Sequence, residues 1–344
     1  MNLLSRRQIS IRISRRDWLK ETAIVTGTGF GSFSGPVSQG GPAVKNQAQI
    51  AVTMDLEMSR NFPTWESRHW DYEKGNLNSE TKEYTEQAAG RVKAFGGVLH
   101  GFVVGRALEQ EDVGWLRRLI DDGHPMGNHT YDHVNVRATR PQDVQFRFQR
   151  APWLLRNQSA IDSVRENVVL CETAMRQRLD KKSDGFRTPG GFHDGLTEFP
   201  QVRKMLRDLG YEWVSSLYPR HPYTKPMERP SRRVIEGIVA AQQTAQPFVY
   251  PDGLIEIPMS PISDIGAFRT GRWRLEWFLD AIRESVQWAI DNRAVFDFLA
   301  HPSCLYVVDP DFRTIDMICE MVADAGDRAA FASLGKIAGQ VATR

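Results

Sequence analysis

Along most of the chain, short apolar runs alternate with longer stretches whose apolar residues recur every three or four positions. The run Val98-Leu99-His100-Gly101-Phe102-Val103-Val104 reads as a strand. After it, Glu111 to Asp122 places Val113, Trp115, Leu116, Leu119 and Ile120 at helical spacing, and Gly123 follows as a C-terminal stop. The same rhythm predicts helices near Thr81–Ala94, Ile161–Leu179, Thr197–Leu209 and Leu275–Asn292. It predicts strands over Val52–Glu57, Gly185–Arg187, Tyr211–Ser216, Leu254–Ile257 and Ala294–Leu299. About seven strands alternating with helices imply an α/β fold whose parallel sheet is curled into a closed or nearly closed barrel.

In such a barrel the chemistry gathers on the loops at the carboxyl ends of the strands. Asp55 and Glu57 close the first strand, and residues two apart share a strand face, so both reach one pocket while Leu56 turns to the outer layer. After the third strand comes Gly127-Asn128-His129-Thr130-Tyr131-Asp132-His133, whose two histidines, four apart at the start of a helical turn, are spaced to meet one ion. Arg187 ends the fourth strand, and His301 ends the last, in Leu299-Ala300-His301-Pro302. A divalent ion on two imidazoles and one carboxylate keeps positions open for water, lowers its pKa and polarises a carbonyl, which is equipment for amide or ester hydrolysis. A second carboxylate then suits the role of proton acceptor. The amine released by C–N cleavage leaves poorly unless protonated, and a histidine suits that task near neutral pH.

Thr53-Met54-Asp55-Leu56-Glu57, Asn128-His129-Thr130-Tyr131-Asp132-His133, Phe186-Arg187-Thr188-Pro189-Gly190 and Leu299-Ala300-His301-Pro302 resemble, in that order, the signature blocks of the polysaccharide deacetylases. This is carbohydrate esterase family 4, with its NodB homology domain, and the resemblance runs over residues 50 to 320. It implies a single-domain, distorted (β/α) barrel of about seven parallel strands and metal-dependent removal of acetyl from N- or O-acetylated sugars. By the same resemblance Asp55 is the base, His129 and His133 are metal ligands, and His301 is the acid. Arg187 then holds Asp55 by a charge-assisted pair, and the backbone N–H near Gly190 helps stabilise the oxyanion.

The chain departs from the family pattern twice. Where relatives carry two adjacent aspartates, Leu56 separates Asp55 from Glu57; Glu57 takes the third ligand position, with the roles of the two carboxylates open to exchange. At the fifth strand Val214 stands where many relatives have an aspartate. Asp264, in the loop after Ile257-Pro258-Met259-Ser260, is the best substitute by position for orienting His301, its alternative role being a helix cap. The implied cofactor is one divalent ion, zinc first, with cobalt, nickel or manganese as alternatives. The implied substrate is an acetylated glycan of the peptidoglycan or chitin type. An allantoinase-like branch of the same fold, often with an Asp-x-Glu first block, offers small linear or cyclic amides instead.

Other residues are read more plainly. His69 and Trp70 lie in the aromatic, charged loop Trp65 to Tyr72 directly after the first strand, where aromatic faces suit sugar rings. His100 reads as an interior residue and His124 as a surface one. Near the amino terminus, Ser14-Arg15-Arg16-Asp17-Trp18-Leu19-Lys20 precedes a mildly apolar stretch, Ala23 to Phe33, and a Gly-, Ser- and Pro-rich stretch to Pro42. This looks like a twin-arginine export signal. Residues 1–47 are therefore expected to be signal and low-complexity linker, 48–344 the catalytic domain, and the protein to reach the periplasm or cell envelope through the twin-arginine machinery. No run approaches the ~18 apolar residues a stable transmembrane segment needs.

Composition narrows the picture further. The 344 residues are 41% hydrophobic and 25% charged, ordinary for one large core. A net charge of +2 without a basic stripe argues against a nucleic-acid partner. Cys171, Cys304 and Cys319 make no disulfide framework.

Overall fold

In the computed structural model, residues 47–59 and 70–342 are described. The segment expected to be an amino-terminal signal, Trp65 and His69 lie outside them. Nine strands form one curled sheet: β1 (Ala48–Leu56), β2 (Leu99–Val103), β3 (Met126–Asn128), β4 (Phe186–Phe192), β5 (Trp213–Leu217), β6 (Phe248–Val249), β7 (Ile255–Glu256), β8 (Val295–Ala300) and β9 (Ala329–Phe331). The order is β6-β7-β5-β4-β3-β2-β1-β8, with β9 joining the start of β1. Every ladder is parallel except β6 with β7. Helices return the chain between most parallel neighbours, as right-handed crossovers require. The result is a distorted (β/α) barrel.

The local signals have physical causes. Helix Ser79–Ala94 starts where the Asn78 side chain accepts the Thr81 amide at 3.0 Å, and helix Ala160–Leu179 where Ser159 accepts that of Asp162. Gly123 takes φ +90° just after helix Gly114–Asp121, the left-handed conformation of a stop. The helix expected from Thr197 begins at Pro200, because proline is tolerated at the first helical position, where its missing N–H costs no bond. Strand β1 is buried along nearly its whole length. Its outward residues Val52, Met54 and Leu56 enter the main apolar cluster with Phe278, Ile282 and Val286 of helix Leu275–Asn292.

No ladder joins β7 to β8 among the described residues; side chains and a loop amide close the gap. Ser260 N–H donates to the Asp297 carbonyl at 2.9 Å. The Gln246 amide both donates to the Val295 carbonyl at 3.0 Å and accepts the Val295 N–H at 2.9 Å, imitating a strand neighbour.

His124 corrects the surface reading: it is 2% exposed, and its Nδ1 accepts the Leu99 N–H at 3.0 Å, satisfying a backbone donor at the head of β2. His100 is interior, stacked on Phe102 at 4.6 Å, and burial pulls its pKa down to about 3. The three cysteines are free and buried. No helix among the described residues is long and apolar enough to cross a membrane.

Candidate metal centre

At the carboxyl end of β1, the two-residue repeat places Thr53 and Asp55, and Glu57 just beyond, on the inner side of the sheet. β2 and β8 flank β1, so the residues after β3 and β8 converge on the same place.

The segment carrying the histidine pair is a loop rather than the expected helical turn. Thr130 and His133 sit at φ 59° and 57°, in the left-handed region. Side chains take the backbone donors that a helix would use: Asn128 Oδ1 accepts the Thr130 N–H at 2.8 Å, Asn167 Oδ1 that of Asp132 at 2.8 Å, and Thr130 Oγ1 that of Val134 at 3.0 Å. The two imidazoles still meet, their ring centroids 5.1 Å apart.

One ligand atom each from Glu57, His129 and His133 lies within 4.8 Å of the others. Glu57 Oε2 is 2.6 Å from His133 Nε2 and 3.7 Å from His129 Nε2. His129 Nδ1 is 3.0 Å from the Arg187 carbonyl. A carbonyl only accepts, so Nδ1 carries a proton, which in the neutral imidazole leaves Nε2 bare. That buried Nε2 has no hydrogen-bond partner. Leaving it so is costly, and a cation is the species it suits; the donor set, two imidazoles and a carboxylate, fits a divalent metal. Burial lowers His133 to about 4, with the Lys74 charge adding to the effect, which leaves its imidazole neutral.

Asp55 lies beside this group, its Oδ2 3.6 Å from His129 Nε2 and 3.7 Å from His301 Nε2. Burial alone would raise its carboxyl; His129 and Arg187 more than offset that and hold it below the usual range. The Arg187 guanidinium is fully buried in a cage. It donates to Asp55 Oδ1 at 3.1 Å, Thr53 Oγ1 at 2.8 Å, Asp297 Oδ2 at 2.5 Å and Ser215 Oγ at 3.2 Å, and lies over the Phe102 ring at 4.2 Å. Burial pushes Asp297 up to about 6 despite Arg187. At the fifth strand Val214 is buried in a cluster behind the sheet, and Ser215 turns its hydroxyl to Arg187.

Opposite stands His301. Its Nδ1 is 2.9 Å from Asp264 Oδ1, and its own N–H donates to Asp264 Oδ2 at 2.7 Å. Asp264 also accepts the Ile265 N–H at 2.8 Å, so it both caps a helical segment and orients the imidazole. Burial pulls His301 down, but Asp264, with Glu57 and Asp55 behind it, raises it to about 9.

Gly190 lies on the exposed carboxyl end of β4 at φ +77°, where a side chain would meet open space. Trp70 opens helix Trp70–Glu73 and sits edge-on to His133, centroids 5.9 Å apart.

Asp297, Thr53 and Ser215 escaped the sequence reading, although Asp297 interrupts an apolar strand in phase with His301 and Thr53 is in phase with Asp55. Lys74 also escaped it. Its Nζ lies 2.5 Å from Glu57 Oε1 and 4.7 Å over the Trp70 ring. Burial pulls this ammonium below the ordinary lysine value, partly offset by Glu57. Burial would likewise raise Glu57, but Lys74 and His133 hold it well below the usual range.

Residues 70–214 match the family model described as polysaccharide deacetylase. That span contains His129, His133, Arg187 and Gly190; Asp55, Glu57, Asp264 and His301 lie outside it. Among solved structures, the chain is similar to a putative polysaccharide deacetylase from Mycobacterium smegmatis, with 17% identity and a TM-score of 0.56 over 91% of this chain and 95% of that one. A probable polysaccharide deacetylase from Pseudomonas aeruginosa PAO1 gives 12% identity and 0.58 over 85% and 89%. Puue allantoinase gives 13% and 0.55 over 89% and 93%. No curated protein matches the sequence. At these identities the structures share the fold. The family match, set on that fold, supports a hydrolase acting on amide or acetyl groups.

Proposed function

We propose that this protein is a metal-dependent deacetylase that removes N-acetyl, or O-acetyl, groups from a glycan of the peptidoglycan or chitin type. The observation that carries this reading is the convergence of Glu57, His129 and His133 beside Asp55, with the Asp264–His301 pair on the other side of Asp55. A divalent ion on the first three residues, zinc or else cobalt, nickel or manganese, would supply a Lewis acid that polarises the acetyl carbonyl and acidifies water.

The protein's own groups then handle the protons. Asp55, kept ionised and pointed by Arg187, accepts the proton of the water that attacks the carbonyl carbon. The Gly190 N–H faces the oxygen that gains charge. His301, held by Asp264, gives its Nε2 proton to the sugar nitrogen as the C–N bond breaks and the electron pair stays on nitrogen. Trp70 and His69 contact the sugar ring. Residues 1–47 take the protein out of the cytoplasm through the twin-arginine machinery.

The test is acetate release from a panel of acetylated glycans, with and without chelator. Release from N-acetylated glycans that chelator abolishes and zinc restores is the expected result; release that ignores chelator would overturn the metal assignment. Hydrolysis of small linear or cyclic amides is the second reading. It is favoured by the Asp55-x-Glu57 block and by the seclusion of the site, where His301 is the most open of the principal side chains at 12%. Turnover of such amides with none of the glycans would select it. Changing Arg15 and Arg16 to Lys should trap the precursor in the cytoplasm.

A further inference from the structure

Glu57 is held from two sides. The Lys74 side chain is 1% exposed, with Nζ against Glu57 Oε1 at 2.5 Å. The next residue is tied to the same glutamate through the main chain, since Gly75 N–H donates to the Glu57 carbonyl at 2.6 Å. Gly75 adopts φ +87°, and a side chain there would collide with Arg106, so this turn has little freedom to move. The Glu57 oxygens therefore face different neighbours: Oε1 the ammonium, with His301 Nε2 farther off at 3.9 Å, and Oε2 the imidazoles of His133 and His129.

We propose that Lys74 is a positioning residue that restricts Glu57 to donation through Oε2 alone and weakens the hold of the site on a divalent cation. The inference rests on the metal reading above. A carboxylate with both oxygens free can clasp a cation through both. An ammonium bonded to one oxygen removes that option and draws electron density from the other. Its positive charge also repels a second cation a few ångströms away, an effect that burial strengthens. Lys74 has good reason to stay, because a buried ammonium parted from its carboxylate is costly. The same restraint keeps positions on the ion free for water and substrate, as catalytic sites need.

The direction of the effect separates this role from a merely structural one. Lys74→Met and Lys74→Gln keep bulk but remove the charge, and each is expected to bind zinc at least about tenfold more tightly than the unaltered chain while turning over substrate more slowly; neighbours of metal ligands typically change affinity by about that much. Affinity is read by competition with a chromophoric chelator on the full chain, with circular dichroism reporting the fold. Lys74→Arg, which keeps the charge, should stay within about threefold of the unaltered chain. X-ray absorption of the zinc-loaded protein should show one carboxylate oxygen on the ion in the unaltered chain and two in Lys74→Met. Equal or weaker binding by folded Lys74→Met and Lys74→Gln overturns the proposal, as does a two-oxygen carboxylate in the unaltered chain, a reading that needs no variant. A folded, unaltered chain that binds no zinc overturns the metal reading itself.

Discussion

Two neighbouring halves of the same pocket are built to opposite rules. Around Arg187, the guanidinium meets Asp55, Asp297, Thr53 and Ser215, and Thr53 Oγ1 lies 2.7 Å from Asp297 Oδ1. That half is complete within the protein. Around Glu57, His129 Nε2 is buried and without a hydrogen-bond partner, and like-for-like donors crowd together. That half leaves a ligand position open. The difference separates a scaffold from an open donor set: a satisfied buried network fixes geometry, whereas an unpaired nitrogen among converging donors leaves a place that suits a cation.

The strongest way to break this comparison is to remove the binding half. His129→Ala or His133→Ala should abolish zinc binding and lower acetate release by a thousandfold or more, on the order of what catalytic groups of this kind supply. Stability without metal should fall by less than loss of the Arg187 cage costs, because each side chain removed gives up one polar contact, His129 with the Arg187 carbonyl and His133 with Glu57, rather than a network. Zinc at about 1,000 times its Kd should stabilise the unaltered chain by about 4 kcal/mol in a denaturant titration and leave His129→Ala unmoved. A metal-free destabilisation of several kcal/mol in His129→Ala would erase the distinction.

The scaffold half should fail differently. Arg187→Met strands two buried carboxylates and is expected to cost about 3–5 kcal/mol of stability. Chemical denaturation at neutral pH checks it, and a loss below about 1 kcal/mol would mean that the cage is not structural.

His301→Ala separates proton delivery from scaffolding. It should lower deacetylation of an N-acetyl sugar about a hundred- to ten-thousandfold, and hydrolysis of an activated aryl acetate far less, because that leaving group needs no acid. Equal losses on both would reduce His301 to a binding role.

The smallest effect is a shift along the pH axis. His301 is raised to about 9, burial pulling down and Asp264 overriding it, so activity should fall as pH rises through that region and the acid loses its proton. The same sign holds for stability. The contribution is full below the unfolded histidine value and disappears as pH climbs to about 9. Asp264→Asn removes the carboxylate that favours the imidazolium, and the alkaline limb should move to lower pH. A limb that stays in place would assign it to another group.

Much of this was legible because periodicity carries strong information. Asp55 and Glu57 share a face through the two-residue repeat of β1, and the helices Ser79–Ala94, Ala160–Leu179 and Leu275–Asn292 show their apolar spacing and end signals openly. The His129–His133 loop reads as helical in the sequence because one of the side-chain bonds that replace helix bonds, from the Asp132 N–H to Asn167 Oδ1, comes from a residue 35 positions away. Asp297 was readable in principle as a charge within an apolar strand. Lys74 was not: in a polar loop, a lysine that folds inward onto Glu57 looks like any lysine that faces water. His124 was hidden for a similar reason, since its partner is a backbone N–H.

The place of β1 between β2 and β8 has a temporal consequence. Its early neighbour, β2, follows closely along the chain, but Thr53 and Asp297 are 244 residues apart. Closing so large a loop is slow, because chain entropy must be lost before the contacts repay it. The Arg187 cage should therefore be among the last features to form in refolding, and until β8 docks, β1 would present an open edge of N–H and C=O groups to any passing strand. Competence for catalysis and protection from aggregation are then expected in the same late step.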